Sequence, residues 1–71
     1  MYAIKETTVY ANGLRIESYF VRIGLWGLRE FASSIKNAKQ FKTKKEASGV
    51  MSDLHKIDRN GKYGKYEIIK L

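Results

Sequence analysis

The dipeptide Asn12-Gly13 constrains this chain most, because it predicts where two strands reverse direction. Residues 2–10 and 14–23 on either side are rich in Tyr, Thr, Val and Ile, which favour strands. Asn and Gly both tolerate the positive φ angles that a two-residue type I′ turn requires. The sequence therefore predicts a β-hairpin closed by such a turn.

The alternation of side chains within this hairpin predicts which residues share a face of the sheet. One face of the first strand carries Tyr2, Ile4, Thr8 and Tyr10. The second strand begins with Leu14 and Ile16 on one face and then shifts to Tyr19, Val21 and Ile23. A change of phase of this kind predicts a β-bulge near Ser18.

The middle of the chain contains shorter signals. Gly24 and Gly27 flank Trp26, which predicts a turn followed by a third short strand. Ser33 or Ser34 is placed to cap a single helical turn at 35–38. Residues 38–42 then resemble a brief strand.

The clearest helix signal is the capping box formed by Thr43 and Glu46. An apolar stripe follows at helical spacing: Ala47, Val50, Met51, Leu54 and Ile57. Asn60-Gly61 predicts the end of the helix, and residues 66–71 predict a closing strand. The expected fold is a single α+β domain over residues 1–71. In the order ββ(β)βαβ, it has an antiparallel or mixed sheet with the helix on one face.

The length and composition bear on stability and oligomeric state. A chain of 71 residues buries a modest share of its surface, and this one has no Cys to form disulfides and a single His. Small domains without such links often gain stability from a partner subunit. We therefore expect a homodimer, and the face of the sheet opposite the helix is either solvated or buried against a partner.

The formal net charge of +7 predicts attraction to polyanions such as nucleic acid, acidic protein surfaces or anionic lipid. No apolar run approaches the roughly 18 residues that span a bilayer. The first ten residues alternate rather than forming the apolar core of a signal peptide. These observations predict a soluble, cytoplasmic protein that does not bind membranes.

The residue types that catalysis requires are scattered along this chain. His55 falls at the border of the apolar stripe, where a structural role in the last turns of the helix is the simpler interpretation. Asp58, Asn60 and Gly61 resemble part of a calcium loop, but the ligand spacing is wrong. Residues 61–64 have the G-x-x-G form of a nucleic-acid-binding loop without its two flanking helices. We expect no enzymatic activity, no metal and no cofactor.

The second half of the chain carries a motif: Ile35, Ala38, Phe41, Thr43, Lys44, Lys45, Glu46 and Ala47, followed by a helix and the closing strand. This pattern resembles small phage and prophage proteins of low-GC Gram-positive bacteria. The resemblance covers about half the chain and implies an origin and a fold more than an activity. Small phage proteins without catalytic machinery usually bind a host protein, and inhibitors of host defence such as anti-CRISPR proteins are one such class. By this resemblance, the chain would act in the cytoplasm of a bacterial host.

Two kinds of binding surface are suggested by the residues themselves. The basic candidates are Lys36, Lys39, Lys42, Lys44, Lys45, Arg15, Arg22 and Arg29. Aromatic residues would stack on bases if they are exposed, and the candidates are Tyr10, Tyr19, Phe20, Trp26 and Tyr63. The simpler alternative is that the lysines only solvate the surface. Trp26, between two glycines, is either an anchor for a protein partner or a core residue over the hairpin.

The lysines at 42, 44 and 45 raise a specific question, because a helix N-terminus favours acidic rather than basic neighbours. Either these lysines bind an anionic partner, or they are an unfavourable placement of positive charge that the fold tolerates. Our interpretation from the sequence is a non-enzymatic binding protein with a host protein or nucleoprotein as target. Direct nucleic-acid binding through the basic, aromatic-containing surface is the alternative.

Overall fold

The computed structural model describes residues 1–57 and 64–71 of the 71-residue chain. Their elements are β1 (Tyr2–Val9), β2 (Arg15–Ile23), a 3-10 turn (Leu25–Gly27), β3 (Arg29–Ala32), a second 3-10 turn (Ile35–Asn37), α1 (Lys44–Ile57) and β4 (Lys65–Lys70). The four strands pair antiparallel in the order β3-β2-β1-β4. Helix α1 packs on one face of this sheet, so the predicted α+β fold is confirmed.

The first hairpin forms as predicted, but its turn is of another type. The amide of Gly13 donates to the carbonyl of Tyr10, and the amide of Tyr10 donates to the carbonyl of Leu14. Three residues are therefore enclosed, and Gly13 has a positive φ of 86°. The amide of Leu14 also donates to the Asn12 side chain over 3.0 Å. The predicted two-residue turn is wrong, because only the glycine adopts the left-handed conformation.

The predicted bulge lies further along β2 than expected. Ser18 stays in register with Glu6, whereas the pairing of β2 with β3 shifts between Phe20 and Arg22. The helix-covered face of β2 therefore carries Phe20, which is 4% exposed, rather than the Tyr19 and Val21 set. The sequence pattern misplaced the bulge because Phe20 and Val21 are both apolar, so either phase of alternation fits.

Residues 39–41 lie between β1 and β2 at the beginning of β1. The backbones of Tyr2 and Phe41 exchange two hydrogen bonds, of 2.8 and 2.7 Å, and the amide of Lys39 donates to the carbonyl of Phe20. The strand predicted for 38–42 is thus reduced to one bridge at Phe41. Its side chain is 4% exposed and stacks on Phe20 with ring centroids 6.4 Å apart.

Helix α1 begins at the predicted cap, where the amide of Glu46 donates to Thr43 Oγ1 over 3.2 Å. Ala47 and Leu54 are fully buried, and Val50 and Met51 pack against the same core. Ile57 is 42% exposed, so the predicted stripe ends one turn earlier than expected. The predicted helix end at Asn60-Gly61 lies outside the described residues.

The core occupies the space between α1 and the covered face of the sheet. Its buried members are Ile4, Phe20, Phe41, Ala47 and Leu54. The rings of Phe31 and Tyr66 stack 6.3 Å apart, although β3 and β4 are the two edges of the sheet. Neighbouring strands lie roughly 4.8 Å apart, so this contact shows that the sheet curls around the covered face.

The opposite face of the sheet carries a network of ion pairs. Lys5 Nζ lies 2.9 Å from Glu17 Oε2 and 3.3 Å from Glu67 Oε1 across three strands. These contacts raise the pKa of Lys5, with Glu17 the largest cause, and lower the pKa of Glu17. Whether a second copy covers this face stays a prediction.

Candidate functional site

The loop at 24–28, hereafter the tip loop, connects β2 to β3 in a tight five-residue reversal. The amide of Gly24 donates to the carbonyl of Leu28 over 2.6 Å, and the amide of Leu28 donates to the carbonyl of Leu25 over 3.2 Å. The last strand pair before it is Ile23 with Arg29. The backbone of the loop is therefore held by its own hydrogen bonds rather than by packing of its side chains.

The apolar side chains of the tip loop point into solvent. Leu25 is 83% exposed, Trp26 is 95% exposed and Leu28 is 66% exposed. Of the two interpretations of Trp26, the core residue is therefore wrong. An isolated exposed leucine is ordinary on a protein surface, but three large apolar residues at one loop tip are typical of an interaction site.

Trp26 also adopts a backbone conformation that its residue type disfavours. Its φ is 65° and its ψ is 19°, in the left-handed region, and Gly27 next to it has a φ of 71°. A bulky side chain with positive φ is an outlier that usually costs of order 1 kcal/mol or more. A glycine at 26 would avoid that cost, so the tryptophan does not serve the local fold.

The base of the tip loop is electrically neutral. Arg22 Nε donates to Glu30 Oε2 across the β2–β3 pair. The side chain of Arg22 is 71% exposed and that of Glu30 is 43% exposed. Arg22 is therefore already bound to a carboxylate, which reduces its value as a contact for a polyanion.

The side chain of Arg29, the first residue of β3, packs against the covered face of the sheet rather than pointing into solvent. Its Nη1 lies 3.5 Å from Glu6 Oε2, with the two side chains 10% and 11% exposed. The same nitrogen donates to the Tyr66 hydroxyl, and the guanidinium lies 5.3 Å from the centre of the Phe31 ring. The prediction that Arg29 belongs to an exposed basic surface is corrected, because this side chain closes the curled sheet.

Glu6 at the centre of this cluster is largely buried, which raises its pKa. The charge of Arg29, and hydrogen bonds from Arg29 and Ser18, oppose that effect by favouring the ionised form. Ser18 Oγ lies 3.5 Å from Glu6 Oε1. The ion pair therefore has a structural function, as it joins β1, β3 and, through Tyr66, β4.

The five lysines predicted as binding residues lie in the segment 36–45, hereafter the lysine segment: Lys36, Lys39, Lys42, Lys44 and Lys45. All five are exposed. Within residues 1–57 and 64–71, none of them forms an ion pair with a carboxylate. Buried Ala38 and Phe41 hold the backbone of this segment against the sheet.

The strand topology brings the tip loop and the lysine segment to the same end of the sheet. Strand β2 runs from Arg15, near the first turn, to Ile23, where the tip loop begins. Residues 39–41 contact Phe20 of β2 and Tyr2 at the beginning of β1. Gly24 is four residues beyond Phe20 along the strand, which is about 13 Å at roughly 3.3 Å per residue. The tip loop therefore projects beyond a basic surface that is set back from it.

The other predicted binding residues do not gather at this end. Arg15 is exposed and pairs with Val9 beside the first turn, at the opposite end of the sheet. Among the candidate stacking residues, Phe20 is in the core, Tyr19 is half-buried and Tyr10 lies beside the first turn. Tyr63 lies outside the described residues. The described part of the chain therefore does not form a continuous surface of arginines and aromatic residues.

The remaining polar features give less indication of function. An open groove of about 790 Å³ between β1 and β4 is lined by Thr7, Val9, Arg15 and residues 64–67. The ring of His55 contacts that of Tyr66 edge-on, 5.1 Å between centroids, in keeping with a structural role. No group of three potential metal ligands occurs within the described residues. No helix in that part of the chain has the length and apolar character to cross a membrane.

Comparisons with known proteins found no match to a protein-family model, to a curated protein or to a solved structure. The site must therefore be interpreted from its own geometry.

Two parts of this site were missed in the sequence. The spacing of Leu25 and Leu28 in the sequence does not by itself indicate a binding role, although apolar side chains around a Gly-x-x-Gly turn have few neighbours to pack against. The Glu6–Arg29 pair was also missed. The signal for it was a carboxylate on the face that otherwise carries Tyr2 and Ile4, since a charge on a covered face requires a partner.

Proposed function

We propose that this chain is a non-enzymatic binding protein that docks on a host protein or nucleoprotein through the tip loop. The observation that carries the proposal is Trp26, which is almost fully exposed and held in a disfavoured conformation. Strained residues that the local fold does not need are concentrated at functional sites. Tryptophan is also among the residues that dominate binding energy at protein interfaces.

The resemblance to small phage proteins supports the same class of function, with inhibition of a host defence system as one form of it. A protein that acts by occupying a surface needs an anchor on a stable scaffold. Here the anchor lies at the end of a hairpin whose base is joined to the sheet through Arg29 and Glu6. The scaffold therefore limits the entropy that Trp26 would lose on binding.

Direct binding of nucleic acid is the second candidate, because the lysine segment carries five exposed cations without carboxylate partners among the described residues. A protein of this kind would bind with a strong dependence on salt and with little dependence on sequence. It would use Trp26 as its stacking residue at this end of the sheet.

Affinity capture from a bacterial host lysate tests the proposal, with the wild type compared with Trp26→Ala. Tyr10→Ala is the matched control, since Tyr10 is a half-exposed aromatic residue at the opposite end of the sheet. We expect the wild type and Tyr10→Ala to retain the same proteins after nuclease treatment, and Trp26→Ala to lose them. Equal capture by all three variants would refute the tip loop as the anchor. Loss of all capture after nuclease would favour the second candidate.

A further inference from the structure

We propose that the partner presents a concave protein surface with an apolar floor that receives the tip loop and an acidic rim that faces the lysine segment. This inference rests on the proposed function and specifies the chemistry of the partner. Four observations carry it: the apolar tip, its neutral base, the uncompensated lysines and the offset between the two.

The apolar tip defines the floor of the partner site. Leu25, Trp26 and Leu28 lie within four consecutive residues, and the least exposed of them is still 66% exposed. Residues of this kind contribute binding energy when a partner removes them from water, which requires an apolar pocket of matching size. A polar or flat surface would leave most of this area hydrated.

The distribution of charge defines the rim. The acidic side chains of the described strands are already paired: Glu17 and Glu67 with Lys5, Glu30 with Arg22, and Glu6 with Arg29. Within the described residues, the lysine segment has no carboxylate partner and therefore retains its charge. Carboxylates on a partner would complement this segment and would steer the encounter.

The offset between tip and lysines favours a concave partner. The lysine segment contacts β2 at Phe20, about 13 Å behind the beginning of the tip loop at roughly 3.3 Å per residue. Both parts lie within the extent of one ordinary protein interface, which buries about 800 Å² per partner. A flat partner surface in contact with the tip loop would not reach the lysine segment, whereas the walls of a cleft would contact it.

The neutral base distinguishes this partner from DNA and from a bilayer. A hairpin that enters a DNA groove, or the headgroup layer of an anionic membrane, meets phosphates around its base. Here Arg22 is bound to Glu30, and Arg29 is turned inward to Glu6, so the base offers phosphates a carboxylate and no unpaired arginine. A protein pocket with an apolar floor does not place phosphates around the base of the hairpin, so it does not require unpaired arginines there.

A pair of charge-matched variants tests the rim. The rim variant carries Lys39→Gln, Lys42→Gln and Lys45→Gln in the lysine segment. The control variant carries Arg15→Gln, Lys56→Gln and Lys65→Gln. It also removes three positive charges, but at the opposite end of the sheet. The probes are a nuclease-treated host lysate, a mixed-sequence DNA duplex, and vesicles of phosphatidylcholine and phosphatidylserine.

We expect the rim variant to bind the captured protein about tenfold more weakly at low salt, because three exposed ion pairs each contribute modestly. The control variant should differ from the wild type by less than about threefold, and added salt should reduce the difference between the two. Carbodiimide, which joins amines to nearby carboxylates, should link the lysine segment to Asp or Glu of that protein in the wild type. Trp26→Ala should abolish this link.

Three results would overturn the inference. If Trp26→Ala loses the captured protein while the rim and control variants bind it equally, the tip loop is an anchor but the acidic rim is absent. If Trp26→Ala retains the protein, the proposed function fails together with the inference. If the duplex or the vesicles bind the wild type in a manner that Trp26→Ala abolishes, the tip loop serves that surface instead.

Discussion

The covered face of the sheet and the tip loop both carry large apolar side chains, but those of the covered face are buried and those of the tip loop are exposed. On the covered face, Leu54 is fully buried and Phe20 is 4% exposed, while in the tip loop Leu25 and Trp26 are more than four-fifths exposed. The first set is placed by the alternation of strands and the period of a helix. The second set is held outside by a turn that is closed through backbone hydrogen bonds. Apolar character alone therefore does not assign a residue to the core, because the residue must also lie on an element that faces the core.

The largest expected loss of stability lies on the covered face. Leu54→Ala should lower the free energy of unfolding by about 2–5 kcal/mol, since it removes buried methyl groups and leaves a cavity between α1 and the sheet. Urea denaturation followed by circular dichroism would measure it. Ile57→Ala, at an exposed position of the same helix, should cost about 1 kcal/mol or less. Equal losses in both variants would show that the helix is oriented differently.

The next largest effect concerns the Arg29–Glu6 ion pair, which joins the beginning of β3 to β1. Arg29→Met should cost about 2–3 kcal/mol at neutral pH, because it leaves the Glu6 carboxylate buried without its charged partner. Arg22→Met is the matched control and should cost less than about 1 kcal/mol, as its ion pair is exposed. A loss in the control as large as that of Arg29→Met would remove the distinction between the two arginines.

The cost of Arg29→Met should also depend on pH, with a sign that follows from Glu6. Burial raises the pKa of Glu6 in the folded state, and loss of the opposing Arg29 charge raises it further. A raised carboxyl pKa means that the folded state binds more protons than the unfolded state, so this contribution to stability is present at low pH and lost as pH rises. The variant should therefore differ least from the wild type below the ordinary Glu range and most at neutral pH. Denaturation at both pH values would check this, and a pH-independent difference would contradict it.

A smaller change is expected at the helix N-terminus. Replacing Lys44 and Lys45 with Glu should stabilise the free protein by about 0.3–1 kcal/mol for each residue at low salt, because acidic residues complement the positive end of the helix. Thermal denaturation at two salt concentrations would measure the gain and its screening. Lys56→Glu near the helix C-terminus is the control, and there the same change of charge should be unfavourable. A loss of stability in the double variant would show that these lysines support the fold.

The smallest expected effect on stability is that of a substitution in the tip loop. Trp26→Gly should leave the free energy of unfolding unchanged or raise it by up to about 1 kcal/mol, since glycine adopts positive φ without strain. This variant should lose the partner even though its fold is intact. A destabilisation of more than 1 kcal/mol, measured by urea denaturation, would mean that Trp26 packs on the protein and would weaken the case for an anchor.

Interactions between residues close in the chain account for most of the local structure. The Asn12-Gly13 hairpin, the Thr43 cap with its helix and the closing strand each follow from interactions between residues close in the chain, and the structure contains all three. Local rules failed where two solutions have similar local energy. The type of the first turn and the position of the bulge in β2 are such cases, and the pairing of β2 with β3 decided the bulge.

Contacts between residues far apart in the chain decide which residues of the candidate site lie together. Arg22 and Arg29 look alike in the sequence, yet one is exposed beside Glu30 and the other is buried against Glu6, because the sheet curls and brings β3 over β1. Trp26 likewise fits a core or an anchor until the strands are paired. Exposure and charge pairing depend on contacts between residues that are far apart in the chain, as with Arg29 and Tyr66. The spacing of residues along the sequence does not contain that information.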